Sequence, residues 1–277
     1  MASSGAGYDY SPSTFSPDGR IFQVEYANKA VENSGTGLGM HCSNGIVLCV
    51  EKQRSSNMLV PHSTSGKRVH SVGKHAGMAF TGFVSDARQL VNRAREEASN
   101  YKETYGSHVP PAVLADRMSA YVHYFTCHGA LRPFGATAII GGYDPDLKEH
   151  ALYMVEPSGV SYQYYGCVAG NGRQACKTEM EKLNLTGKNV SGGDPVTVNE
   201  AVKQMARMVY MLYEDKDDAK KDKLELEMSW ICEDSKWEHA SVPSEIVNEA
   251  IEWAKEDIAA AQEEDDDDED EDDVMED

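Results

Sequence analysis

Apolar residues recur along this chain with two periods, and the switches between them mark its elements. Ile21, Val24, Ala27 and Val31 step by three or four, the stripe of an amphipathic helix that Asn33-Ser34-Gly35 ends. Thr36 to Cys42 and Gly45 to Glu51 then read as strands, joined through Asn44-Gly45, a tight-hairpin signal between apolar runs. Ile46-Val47-Leu48-Cys49-Val50 is apolar on both faces, so this strand is expected to be covered on both sides. A polar loop over 52–66 leads to two short strands, Arg68 to Val72 and Gly77 to Gly82. Two helices follow, one with Val84, Ala87, Val91, Ala94 and Ala98 on its stripe, the other with Leu114, Met118, Tyr121 and Phe125.

The same kinds of element then return. Gly135 to Gly142, His150 to Glu156 and Val160 to Gly166 read as strands, the last two joined by the Pro157-Ser158-Gly159 turn. Helices are expected from about Gly172 to Leu183 and from Thr197 to Asp215, where Val198, Val202, Met205, Val209 and Leu212 form a core face. A strand from Glu225 to Cys232 and a helix from Ser244 to Gln262 complete the pattern. Strands grouped by hairpins and helices in pairs argue against alternating βαβ units. The expected fold is α+β: a four-layer αββα sandwich of two antiparallel sheets, one domain over residues 16–262.

Charge changes this picture at the ends. The formal net charge is -20, but the run EEDDDDEDEDDVMED at 263–277 holds thirteen acids and no base. Residues 1–262 therefore carry the other 33 acids against all 26 bases, a body only mildly acidic. The tail repels itself and is expected to be disordered, and Coulomb repulsion sets it against nucleic acid. Residues 1–15 have no period and read as a flexible leader. Ser16-Pro17-Asp18-Gly19 has the residue order of a type I turn and fixes where the first helix can begin.

No apolar run approaches the length of a membrane span, and the N-terminus lacks a secretion pattern, so a soluble intracellular protein is expected. The six cysteines stand singly, mostly in apolar runs, and read as buried reduced thiols. His70 with His75 and His123 with His128 have neither a helical nor a zinc-ligand spacing, and no metal or other cofactor is assigned. There is no Gly-x-Ser-x-Gly elbow, and neither Gly35-x-Gly37-x-Gly39 nor Gly66-Lys67 completes a nucleotide-binding motif.

Tyr8-Asp9 and the run Phe15-Ser16-Pro17-Asp18-Gly19-Arg20-Ile21-Phe22-Gln23-Val24-Glu25-Tyr26-Ala27 resemble the N-terminal signature of proteasome alpha subunits. Ser85-Asp86-Ala87-Arg88, Arg132-Pro133-Phe134-Gly135 and Leu152-Tyr153 extend the resemblance, which covers about residues 5 to 260. It implies the same αββα sandwich, in a heteromeric seven-membered alpha ring that caps rings of beta subunits in cytoplasm and nucleus. The implied role is gating: the leader obstructs the axial pore that unfolded polypeptides traverse, and Tyr8, Asp9, Pro17 and Tyr26 hold an open form. Lys67, with Gly66, aligns with the pocket where the C-terminal carboxylate of an activator or regulatory particle docks. Many alpha subunits have Arg after Tyr-Asp, and this chain has Tyr10, which cannot supply that charge.

The beta relatives cleave peptides with an N-terminal threonine whose free amine is the base. Laid over a beta subunit's first hairpin, this chain puts Gly35 at the nucleophile, Thr36 beside it, and Glu51 and Lys67 where the beta acid and lysine sit. Gly35 has no hydroxyl, so no catalytic residue is assigned. Two other readings compete: a stand-alone N-terminal-nucleophile hydrolase, which requires a mature chain beginning at Thr36, and an acidic-tailed chaperone for basic proteins, which requires that deleting 263–277 abolish the main activity.

Overall fold

The computed structural model describes residues 7–54, 56, 58–60, 66–185, 194–213 and 224–273, with side chains as far as residue 261. Helix α1 (Phe22–Glu32) precedes the hairpin β1 (Gly37–Cys42) and β2 (Gly45–Gln53), then β3 (Val69–Gly73) and β4 (Ala76–Gly82). The helix pair α2 (Val84–Tyr105) and α3 (Pro111–Thr126) follows, with Pro111 at its first turn, where the missing N–H costs nothing. Strands β5 (Ala136–Asp144), β6 (Glu149–Val155), β7 (Ser161–Tyr164) and β8 (Gly166–Ala169) lead to α4 (Arg173–Glu181) and α5 (Val198–Met211). The chain closes with β9 (Leu224–Cys232), the two-residue β10 (Ala240–Ser241) and α6 (Ser244–Asp273).

Two five-stranded sheets result, ordered β10-β9-β2-β1-β8 and β3-β4-β5-β6-β7, with every pairing antiparallel. Alternation along β2 shows why they stack. Ile46, Leu48 and Val50 join Ala79, Ile139, Leu152 and Cys167 between the sheets, whereas Val47 and Cys49 face the helix side with Val202, Met205 and Val209 of α5. On the far side of the second sheet, Met78, Phe80, Ala138 and Ile140 pack with Leu90, Val91, Leu114 and Met118 of α2 and α3. The order is helix, sheet, sheet, helix, as the pattern of the sequence requires. Arg207 of α5 ties its layer together, donating to Glu179 of α4 at 2.9 Å and to Asp257 of α6 at 2.6 Å.

The structure departs from the sequence reading in four places. The single strand expected from Val160 to Gly166 is two: β7 ends the second sheet, and β8 belongs to the first. The chain crosses at Tyr165, whose carbonyl accepts from His41 N–H at 2.7 Å. Gly166 permits the crossing, because a Cβ there would stand 2.4 Å from the Met180 sulfur. The first hairpin turns on Ser43 and Asn44, since Cys42 pairs with Gly45; Asn44 is spent on α5, its Oδ1 accepting from Val198 N–H at 2.8 Å. Helix α6 passes Gln262 and runs to Asp273, because no Gly or Pro interrupts it. Cys127 is exposed, as the residue that ends α3, while the other five cysteines are buried. Burial pushes the thiols of Cys42, Cys167 and Cys176 up to about 12, which keeps them protonated and inert.

Among the described residues no helix is long and apolar enough to cross a membrane, and no three His, Cys, Asp or Glu side chains are placed to hold a metal ion.

Candidate functional site

The nucleophile's seat of the beta fold falls where α1 gives way to β1. Thr36 is wholly buried there. Its N–H donates to Glu51 Oε2 at 2.9 Å, and its hydroxyl oxygen accepts from Gly172 N–H at 3.0 Å. The other oxygen of Glu51 accepts from the Tyr213 hydroxyl, and burial together with that carboxylate drives the phenol's pKa well above its ordinary value. A peptide nitrogen, its lone pair delocalised into the adjoining carbonyl and its N–H given to a carboxylate, cannot act as a base.

The loop between β8 and α4 closes the seat. Gly170 adopts φ +100°, and a Cβ on it would meet the Gly35 carbonyl oxygen at 2.4 Å, while Asn171 N–H donates to Ser34 O at 3.0 Å. From the other side α1 plugs the sandwich: Val31 enters the core between the sheets, and Ser34 Oγ accepts from Gly82 N–H at 2.7 Å. The space left beside α1, lined by Asn28, Glu32, Thr137 and Arg173 among others, measures about 90 Å³. Sites for small molecules usually offer about 300 Å³ or more, so a peptide has no room.

The leader meets the body at α1. The turn at Ser16 has the expected form: Gly19 N–H donates to Ser16 O at 2.9 Å, and Ser16 Oγ accepts from Arg20 N–H at 3.0 Å. Of the four residues assigned to a gate, the structure brings two together. Tyr26 Oη donates to Asp9 Oδ2 at 3.4 Å, and Gln23 Nε2 donates to the Asp9 carbonyl. Desolvation and then the Asp9 charge raise the Tyr26 pKa, so the phenol stays a donor. Among the described residues neither Tyr8 nor Pro17 makes a hydrogen bond or ring contact with this pair; both are exposed. Farther along the leader, Ser11 and Ser13 lie on Gly129, where a Cβ would stand 3.3 and 3.6 Å from their hydroxyl oxygens.

Lys67 is found elsewhere. It lines a cavity of about 310 Å³ with Lys52, Glu225, Glu227, Ser241, Val247 and others, where β9 and β10 meet the start of α6. Its loop is held by Glu227, whose Oε2 accepts from Arg68 N–H at 2.6 Å and Val69 N–H at 3.2 Å. Lys52 is neutralised by Glu225 at 3.6 Å and Glu227 at 3.5 Å, whereas Lys67 has no ion pair among the described residues. Its charge, after burial, helps hold His239 down to about 4. Gly66, before it, has open space around its Cα. The structure thus joins Glu51 to Thr36 and gives Lys67 a separate place.

Comparison with known proteins settles what these features belong to. Residues 31–228 match the model of the family described as Proteasome subunit, and residues 8–30 match the model of the N-terminal signature carried by its A-type members. The chain belongs to the proteasome alpha-subunit family. It is 51% identical over 255 residues to proteasome subunit alpha type-3 of Arabidopsis thaliana, covering 92% of this chain and 96% of that one. It is 46% identical to proteasome subunit alpha type-3 of Acanthamoeba castellanii, covering 91% and 94% of the two chains. A probable proteasome subunit alpha type-7 of Saccharomyces cerevisiae is 43% identical over 259 residues, 93% and 86% of the two. Alpha-type chains are the non-catalytic subunits of the 20S proteasome, structural parts of its outer ring, and the closed seat at Thr36 accords with that.

Several residues at these places are given no role by the sequence pattern, although Gln23 lies within the N-terminal signature. Gln23 and Gly129 hold the leader, Tyr213 completes the Glu51 site, and Glu227 fixes the Lys67 loop, all across long separations in sequence. Only the two-residue spacing of Glu225 and Glu227 along β9 marks that pair as standing on one face.

Proposed function

We propose that this alpha subunit gates the particle's entrance and docks its activators. Residues 1–15 form the movable segment, 16–262 the ring body, and 263–277 a solvated acidic extension. The observation that carries this reading is the contact of Asp9 with Tyr26 and Gln23, a small polar latch between leader and first helix. Such a contact is worth about 1 kcal/mol for each hydrogen bond, which suits a switch biased by only a few kcal/mol. The partners are other alpha subunits, beta subunits and an activator or regulatory particle, with unfolded polypeptides in transit, in cytoplasm and nucleus. The ammonium of Lys67, at the rim of its cavity and without an ion pair among the described residues, supports capture of an activator's terminal carboxylate.

The test uses assembled particles. Deleting residues 2–12 is expected to raise peptide hydrolysis several-fold without an activator, and an unchanged basal rate would refute the gate. Lys67→Ala is expected to lower activator-stimulated hydrolysis while ring assembly persists on a native gel. Equal stimulation of variant and parent at limiting activator would remove Lys67 from the docking role.

A further inference from the structure

A second hollow, away from the leader and the Lys67 cavity, gathers cations that nothing above employs. It measures about 240 Å³ and opens between α2, the β3–β4 turn and the loop joining α2 to α3. Arg95 and Lys102 stand seven residues apart on one face of α2, Lys74 and His75 come from the turn, and His108 comes from the loop. No carboxylate lines it, in a chain with 46 acids and 26 bases. The nearby acids are engaged: Glu238 pairs with Lys74 at 3.1 Å, and Glu103 accepts from the Ser99 hydroxyl at 3.4 Å. Arg95 Nε donates to Ser71 O at 3.0 Å, and among the described residues neither Arg95 nor Lys102 has a carboxylate partner.

The two imidazoles complete the wall. His75 Nδ1 donates to Trp237 O at 2.7 Å, and its ring meets His108 edge-on at 4.8 Å. Tyr143 packs against the other side of His75. Burial, then His75, Lys102 and Lys74, hold His108 below its ordinary pKa, with Glu238 acting in the opposite direction.

We propose that this hollow binds the phosphate group of a small phosphorylated molecule. Arg95 and Lys102 approach from one wall, two cations without a carboxylate partner to match a dianion, with Lys74, shared with Glu238, opposite; a single carboxylate would leave one cation unmet. The volume lies below the usual range for ligand pockets and suits a phosphate with a few further atoms. An incoming dianion also favours the protonated form of the His108 imidazole, so binding takes up a proton.

The test titrates the full-length chain with pyrophosphate in a calorimeter, beside Lys102→Gln, the double variant Arg95→Gln/Lys102→Gln and the remote control Lys177→Gln. Parent and control are expected to saturate alike, with the double variant weaker by about tenfold or more and the single variant between them. Circular dichroism checks that each variant is folded, and Lys102→Gln alone decides if the double variant is not. With sulfate, whose charge is constant over the range, affinity is expected to rise as the pH falls from about 8 to about 6. Heats that never saturate, equal affinity in parent and folded variants, a flat sulfate profile, or preference for an oligoglutamate peptide would each overturn the proposal.

Discussion

Replacing Glu51 with leucine is expected to lower the stability of the isolated chain by about 3 kcal/mol, because two buried donors lose their acceptor together. These are the Thr36 N–H and the Tyr213 hydroxyl. Neither can turn to solvent, since Thr36 is fully buried and Tyr213 nearly so. Glu51→Gln keeps one carbonyl oxygen and is expected to lose roughly half as much. Denaturant unfolding reads the result as a shift of the midpoint at constant slope. A parent-like midpoint for Glu51→Leu would mean that the carboxylate is a remnant with no structural task.

Asp86→Ala comes next, at a cost of about 2–4 kcal/mol. Asp86 stands in the first turn of α2, where a negative charge also complements the helix dipole. Its two oxygens accept from Arg132 at 2.6 and 2.8 Å, and one of them also accepts from Gly135 N–H at 2.9 Å. Arg132 is 66% exposed and returns to water when the partner is removed, so most of the loss arises from the buried Gly135 N–H left without its acceptor. The Arg132 hydrogen bonds, then the Gly135 N–H, hold the Asp86 carboxyl below the usual carboxylate range against the pull of burial. A depressed folded pKa gives stability that is complete above the unfolded value and lost as pH falls through the folded one. The gap between parent and Asp86→Ala is therefore expected to be full at neutral pH and to shrink below about pH 4. A gap independent of pH would show that the ion pair contributes nothing.

Much of the architecture is legible in the sequence because each buried face repeats at the period of its element. The run Ile46 to Val50 declares a strand covered twice, and it lies between α5 and the second sheet. What periodicity does not encode is the sheet a strand will join. Val160 to Gly166 reads as one extended run, and the switch at Tyr165 depends on Met180 and Leu185 occupying the space beside Gly166. The candidate site divides in the same way. Asp9, Pro17 and Tyr26 can be named from a contiguous signature, and Glu51 from its place in the first hairpin. Gln23, Gly129, Tyr213 and Glu227 act through contacts that close only in three dimensions, so spacing along the chain is silent about them. The cationic hollow was equally invisible, since its residues come from three segments, none of them unusually basic.

The crossing from β7 to β8 makes one border of the sandwich a spine. There the two sheets are consecutive pieces of a single polypeptide, and His41 and His150 reinforce it by donating to each other's strands, at 3.0 Å to His150 O and 2.9 Å to Cys42 O. The opposite border, where β3 faces β9 and β10, is held by the His239 N–H on Lys74 O at 3.0 Å and by side-chain clasps such as Glu227 on the Arg68 and Val69 amides and His239 on Ser71 at 2.7 Å. Lys67 sits on this second border, where contacts between distant parts of the chain hold the sheets together.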